Sequence, residues 1–208
     1  LHLAVTGKLV PQNAAWTRFS LGDLGAWAVG NGFPKSEQGN EGLAILFAKV
    51  SDMNLPENAK FIVKTNHTIS EETARELRVN VHAPGTVVFP KIGGAIATNK
   101  RRILTRPTAI DNNCLGITPK EGVSTDWLFL VLSSIDFTGY QAGTSLPALS
   151  QGTLAKIPVA LPGQTEQHRI VAKVDELMVL CDSLKVRIAD AQTIQAHLAD
   201  AIVEQAIA

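Results

Sequence analysis

Past Gly163 the chain has neither glycine nor proline, and its apolar residues fall into a 4-3-4-3 alternation. Ile170, Val174, Leu177, Cys181, Leu184, Ile188, Ala191, Leu198 and Ile202 follow it, and Gln195 and Gln205 break it. This spacing is the heptad seam of a coiled-coil-type helix. Val171, Met178, Leu180, Ile194 and Ala201 widen the seam beyond a strict two-helix stripe. The intervening residues are good helix formers. The pattern therefore predicts one helix over 165–206, with Thr165 as its cap and Glu166 at the positive end of its dipole. At 1.5 Å per residue such a helix is roughly 63 Å long. It cannot bury its stripe alone. Either a second helix covers it, from the same chain or another, or it folds back on its own domain, which is too short to cover the full length.

Before residue 158, glycine, proline and short β-branched runs dominate. The runs 44–50, 60–64, 86–92, 95–98, 102–105, 114–118 and 157–161 read as strands separated by turn residues. Helices are expected at 71–78 after Ser70, at 125–135 after Ser124, and briefly after Ser150. Strands in the middle with helices around them predict an α+β fold. It comprises a globular domain with a twisted, mostly antiparallel sheet, followed by the long C-terminal coiled-coil-type α-helix. Leu1, Leu3, Ala4 and Val5 are apolar and are followed by Gly7 and Pro11. They read as the last turn or two of a helix that begins upstream. The expected divisions are 1–15 (helix end and linker), 16–161 (globular domain) and 162–208 (long helix).

Among the 208 residues, 19 Lys+Arg balance 19 Asp+Glu. That rules out a wholly basic nucleic-acid coat, though not a local patch. The balance conceals a polarity. Residues 16–157 carry 14 basic and 12 acidic side chains, and residues 158–208 carry 4 and 7. The sharpest stretch is 91–106, with Lys91, Lys100, Arg101, Arg102 and Arg106 and no acid. It reads either as a hairpin set against phosphates, its Arg, Lys and Asn reading base edges, or as a hairpin facing water. Cys114 and Cys181 lie far apart, with no metal spacing and no disulfide framework, which fits a reducing cytosol. No stretch reaches the roughly 20 apolar residues of a membrane span.

No catalytic constellation can be assembled. Gly93 and Gly94 do not belong to a phosphate loop, and Gly30-Asn31-Gly32 lacks the rest of a dinucleotide fingerprint. His2, His67, His82, His168 and His197 are scattered without an i, i+4 pair, so no metal site is expected. No G-x-S-x-G elbow marks a nucleophile.

The run from Leu154 to Leu184 is more specific. Ile157-Pro158, Leu161-Pro162 and Glu166-Gln167-His168-Arg169-Ile170-Val171 resemble the junction between recognition domain and conserved helix in specificity subunits of type I restriction–modification enzymes. That junction reads I-P-x-P-L-P-P-x-x-E-Q-x-R-I-V; Ala160 and Gly163 stand where it often has proline. Thr6-Gly7-Lys8-Leu9-Val10-Pro11-Gln12 resembles the end of the family's other conserved helix. Val87-Val88-Phe89-Pro90-Lys91-Ile92-Gly93 resembles a family strand and turn. Gly143-Thr144-Ser145-Leu146-Pro147-Ala148-Leu149 resembles its G-t-x-q-x-x-L segment, with Ser-Leu-Pro departing from the commoner polar form. Nearly the whole chain is covered, amounting to about half a full-length subunit: one target-recognition domain and one conserved helix.

The resemblance implies a non-catalytic reader of double-stranded DNA. The domain would read one half of a bipartite target, and the helix would set the half-site spacing and pair with a second half-subunit or an identical copy. Modification subunits binding S-adenosylmethionine, and restriction subunits using ATP and Mg, would supply the chemistry. No cofactor is expected in this chain, which the same reading places in the cytoplasm, away from membranes. The DNA-binding residues expected first are Lys91, Asn99, Lys100, Arg101 and Arg102, then Asn31 and Lys35 in a Gly- and Pro-bounded loop, Lys49 after a strand, and Ser145. The nine seam residues from Ile170 to Ile202 form the expected helix–helix interface. Two rival readings are an adaptor that oligomerises through the helix without binding DNA, and a methyltransferase fragment, which no motif supports.

Overall fold

The structure, a computed structural model, describes residues 1–11, 15–143 and 145–207. Gln12, Thr144 and the side chain of Ala201 lie outside the described part. Along the chain run α1 (His2–Val5), β1 (Thr17–Ser20), β2 (Gly25–Val29), β3 (Ile45–Ala48), β4 (Phe61–Ile62), β5 (Thr68–Ile69), α2 (Glu71–Glu76), β6 (Val81–His82) and β7 (Val87–Pro90). Then come β8 (Arg102–Leu104), β9 (Thr108–Ile110), β10 (Cys114–Pro119), α3 (Thr125–Ser134), β11 (Gln141–Ala142), β12 (Ala148–Leu149), α4 (Gln151–Leu154), β13 (Pro158–Leu161) and α5 (Gln164–Ile207). Short 3-10 turns occupy Leu21–Leu24, Lys35–Glu37, Val50–Asn54, Pro56–Asn58, Gly93–Thr98 and Phe137–Tyr140. The chain divides into two compact units, 1–168 and 169–208.

The first unit is built on two sheets. One has the order β2-β10-β7-β8-β4 and the other β5-β3-β9-β6. Pairing is antiparallel except for β4 with β8 and β3 with β9. The ribbons β1–β13 and β11–β12 complete the unit. β3, β7 and β9 are buried at every position, and strands covered on both faces read as continuous apolar runs rather than alternations. Ala28, Leu46, Ala48, Met53, Ile62, Val88, Leu104, Ile110 and Cys114 form one cluster that draws on both sheets. Successive side chains of a strand point to opposite faces. Phe47 accordingly joins a second cluster with Ile45, Ile69, Ala74 and Ala109, and Phe89 meets Phe137 at 4.9 Å between ring centroids. α3 buries Trp127, Leu128, Leu130, Val131 and Leu132, each contributing roughly 1.5–3 kcal/mol by leaving water.

The three serine-initiated helices form as expected. Ser70, Ser124 and Ser150 accept the N–H of Thr73, Trp127 and Thr153. Two local expectations fail. Residues 95–98 are not a strand but the end of the 3-10 run Gly93–Thr98, closed by left-handed Asn99 (φ 50°), so the basic stretch makes no hairpin. Thr165 does not cap α5: the helix starts at Gln164, and the Gly163 carbonyl accepts the N–H of Glu166 and Gln167 at 2.9 and 3.0 Å.

α5 runs for 44 residues, about 66 Å. Of the seam residues, Ile170 and Val174 are buried and Leu177 is half-buried. Cys181, Leu184, Ile188, Ala191, Leu198 and Ile202 are exposed. The part of the stripe open to another helix therefore begins at Leu177. Among the described residues no helix is long and apolar enough to cross a membrane, and no cluster of His, Cys, Asp and Glu could hold a metal ion.

Candidate nucleic-acid interface

Strand direction collects several polar side chains at one edge of the first unit. β2, β7, β3 and β9 end there, while β5 and β10 begin there, because β10 runs antiparallel to β2 and β7, and β9 runs parallel to β3. The chain segments leaving these ends are stitched together through the backbone. Asn31 N–H donates to the Ile110 carbonyl (2.9 Å), Asp111 N–H to Ala48 (3.0 Å) and Lys91 N–H to Asn113 (2.9 Å). Gly30 allows the closest approach: a Cβ there would sit 1.8 Å from the Asp111 carbonyl oxygen.

The 145–147 tip joins the same edge. Leu149 N–H donates to the Lys91 carbonyl (2.8 Å) and Gly93 N–H to Pro147 (2.7 Å). Ser145 is exposed beside it. On the other flank, Phe47 N–H bonds the His67 carbonyl at 2.9 Å. His67 Nδ1 accepts the N–H of Gly39 at 2.9 Å, and Phe33 stacks on Phe47 at 3.6 Å between centroids. These contacts tether the loop carrying Lys35.

Four expected residues, Asn31, Lys49, Lys91 and Ser145, thus lie on linked backbone, with Lys35 in the adjoining loop. Lys49 Nζ donates to Gln38 Oε1 at 3.3 Å. The Asn31 side-chain oxygen accepts the Asn80 N–H at 2.8 Å, leaving its NH2 directed elsewhere. Lys35 and Lys91 make no ion pair or side-chain hydrogen bond among the described residues. Asp111, Asn113, Gln38 and His67 belong to this edge and were not foreseen. Asp111 is 6% exposed, and its carboxylate accepts the backbone and side-chain N–H of Asn113 at 3.0 and 3.1 Å. The signal open to a reader was the Asp111-Asn112-Asn113 turn between two apolar runs. Ammonium and amide donors so grouped suit phosphate oxygens and the acceptors on purine edges.

The other four expected residues do not join them. The Gly93–Thr98 run, about 12 Å at 2 Å per residue, separates Asn99 from the edge. Arg101 cannot read bases from where it stands: it is 2% exposed. Its guanidinium donates to the carbonyls of Leu132 (3.1 Å), Lys100 (2.9 Å) and Ile135 (3.4 Å) and to Asn99 Oδ1 (2.8 Å). The Phe137 ring lies 4.1 Å away and Phe89 5.3 Å. Burial pushes its pKa down to about 9, partly countered by Asp136. Arg102 is turned inward too, donating to the carbonyls of Met53 (2.7 Å) and Arg101 (2.8 Å). Lys100 Nζ bonds Asn54 Oδ1, and Asn99 Nδ2 bonds the Ser133 carbonyl at 3.1 Å. The acid-free stretch is largely engaged in holding carbonyl groups.

Comparison with known proteins settles which family this edge belongs to. The family model for the type I restriction modification DNA specificity domain matches residues 13–190. The chain belongs to that family. Among curated relatives of this specificity domain is the type I restriction enzyme EcoEI specificity subunit of Escherichia coli, 37% identical over 59 residues, which are 28% of this chain and 10% of that protein. Among solved structures, a chain described under complex assembly and conformational transition of the type I R-M system superposes with a TM-score of 0.69 at 18% identity, covering 94% of this chain and 48% of its own. The HsdS subunit from Thermoanaerobacter tengcongensis gives 0.63 at 19%, covering 88% and 44%. At these identities the likeness is one of fold. The specificity domain spans about half of each solved chain.

Proposed function

We propose that the chain reads DNA sequence for a type I restriction–modification complex, covering one half of a bipartite target. Residues 16–161 are the reader and residues 162–208 the spacer and pairing helix. The observation that carries this reading is the convergence of Asn31, Lys49, Lys91 and the Ser145 tip on one edge, tied by backbone hydrogen bonds, within a DNA specificity domain. Donors fixed by sheet ends rather than by long loops keep their spacing when a duplex arrives, as selective base contacts require.

The stripe from Leu177 to Ile202 takes a second helix, from another half-subunit or an identical copy. Modification subunits with S-adenosylmethionine, and restriction subunits with ATP and Mg, add the chemistry; this chain contributes recognition and scaffolding. At about 3.4 Å per base pair a helix of roughly 66 Å matches about 19 base pairs, so its length acts as a ruler. The test is methylation mapping in cells that carry the chain and a modification subunit of its system. A split motif is expected, and a heptad inserted between Ala189 and Ala196 should change its spacer while leaving both half-sites intact. An unchanged spacer would refute the ruler, and the absence of any motif would refute the reader and favour an adaptor.

A further inference from the structure

Arg101 presents a physical puzzle. A buried cation without a carboxylate partner is costly, and an apolar residue of similar size would fill the space between Phe89 and Phe137 more cheaply. Among the described residues no ion pair offsets it; Asp136 only favours the charge without bonding it. What Arg101 has instead is direction. A planar guanidinium fixes several acceptors at once, which an ammonium cannot do. Three of its bonds reach beyond the adjoining backbone: two to carbonyls at the C-terminal end of α3, those of Leu132 and the cap residue Ile135, and one to the Asn99 side chain. Asn99 in turn bonds Ser133. This caps the negative end of α3.

The residues on either side of Arg101 reach in a different direction. Lys100 bonds Asn54, and Arg102 bonds the Met53 carbonyl. Both contacts fall at the last turn of Val50–Asn54, whose cap residue is Lys49. Inside that turn, buried Asp52 accepts the Lys49 N–H at 2.7 Å and the Asn66 N–H at 3.0 Å. Three consecutive residues therefore clip the end of α3 to the turn that carries Lys49.

We propose that Arg101 is a positioning residue for DNA recognition: it sets where the Val50–Asn54 turn, and Lys49 with it, meets the duplex, and touches no DNA itself. This rests on the reading of the edge as a DNA interface.

The test is site selection from a randomised double-stranded DNA library by the full chain bound to its modification subunit. It is run unsubstituted and with Arg101→Met, Arg101→Lys and Lys49→Ala, alongside the salt dependence of binding and thermal unfolding. Arg101→Met should keep the selected motif but lose about ten-fold discrimination, at the same base positions that Lys49→Ala degrades. The slope of log affinity against log salt should not change, since no phosphate contact is removed. Arg101→Lys should recover part of the discrimination. A lowered melting temperature with an unaltered selection profile would overturn the proposal, leaving a purely structural role. A shallower salt slope would overturn it in favour of a direct phosphate contact. Should Arg101→Met not fold, Phe137→Leu removes the ring beneath the guanidinium and keeps its bonds, and a smaller loss at the same positions is expected; an unaltered profile there counts against the proposal. If the unsubstituted chain selects no motif, the DNA reading falls and the proposal with it.

Discussion

Gln167 gives the E-Q step of the family junction a physical reading. The side chain is fully buried. Its Oε1 accepts the Ser124 N–H at 2.8 Å, and its Nε2 donates to the carbonyls of Gly122 at 2.8 Å and Pro162 at 3.0 Å. One amide thus ties the first turn of α5 to the loop that opens α3. Replacing it by leucine removes three bonds and leaves a buried N–H without an acceptor. An orphaned buried group costs about 1–3 kcal/mol, so the substitution should destabilise the protein by about 3 kcal/mol. For a domain of this size that lowers the melting temperature by about 6–12 °C. Exposed Gln164, one turn earlier, serves as control: Gln164→Ala should change stability by less than about 0.5 kcal/mol. Gln167→Glu adds a sign. Its carboxylate would face two carbonyl oxygens, so its folded-state pKa should rise above the usual value of about 4.3. The deficit against wild type should be smallest below about pH 4.3 and grow as pH rises through the raised pKa. Circular dichroism melts across pH read all three variants. A Gln167→Leu melt within 1 °C of wild type would refute the reasoning.

Two more predictions concern the edge and the thiols. Gly30→Ala drives a Cβ to 1.8 Å from the Asp111 carbonyl, whereas a Cβ on Gly32 meets nothing within 4 Å. Urea midpoints should show a loss of about 3 kcal/mol for the first and little for the second; equal effects would refute the close approach. Cys114 is buried, and burial together with Asp111 and Asp52 pushes its thiol well above the ordinary range, while Cys181 is exposed. A thiol-reactive dye at neutral pH should label Cys114 only after unfolding, and Cys181 at once while the helix is unpaired but more slowly when a second helix covers the seam. Two fast thiols in the native protein would contradict the burial.

The parts of the fold legible in sequence are those whose own residues decide them. α5 repeats its pattern over many turns, and three serines announce three helices. Among the strands that escaped, Thr17–Ser20 and Gly25–Val29 have few β-branched residues and form because β13 and β10 pair with them, while Thr68–Ile69, Val81–His82 and Thr108–Ile110 are only two or three residues long. Residues 95–98 failed in the opposite way. Ala-Ile-Ala-Thr looks like a strand, but Gly93 (φ 68°) and Asn99 (φ 50°) adopt left-handed conformations at its ends and wind it into a 3-10 turn. In a segment this short the end residues outweigh the propensity of the middle.

Charge along the sequence was a weaker guide to the proposed interface than strand direction. The missing acids in 91–106 suggested phosphate as the partner. Yet a guanidinium can be satisfied by carbonyl oxygens and aromatic faces, as Arg101 is by Leu132, Ile135 and Phe137, so an acid-free run is equally what a buried clip requires. Apart from the Asp111-Asn112-Asn113 turn, the edge residues carry no local signature. Asn31, Lys49, Lys91 and Asn113 come from four separate segments, and the register of β2, β3, β7, β9 and β10 brings them together. That placement has a consequence for how specificity can vary. Each polar side chain stands one to three residues beyond the end of a strand, and three of those strands, Ile45–Ala48, Val87–Pro90 and Thr108–Ile110, are buried at every position. On the proposed function, substitution there alters the donors shown to a duplex without opening the core, so the same two sheets can hold different reading surfaces at little cost in stability.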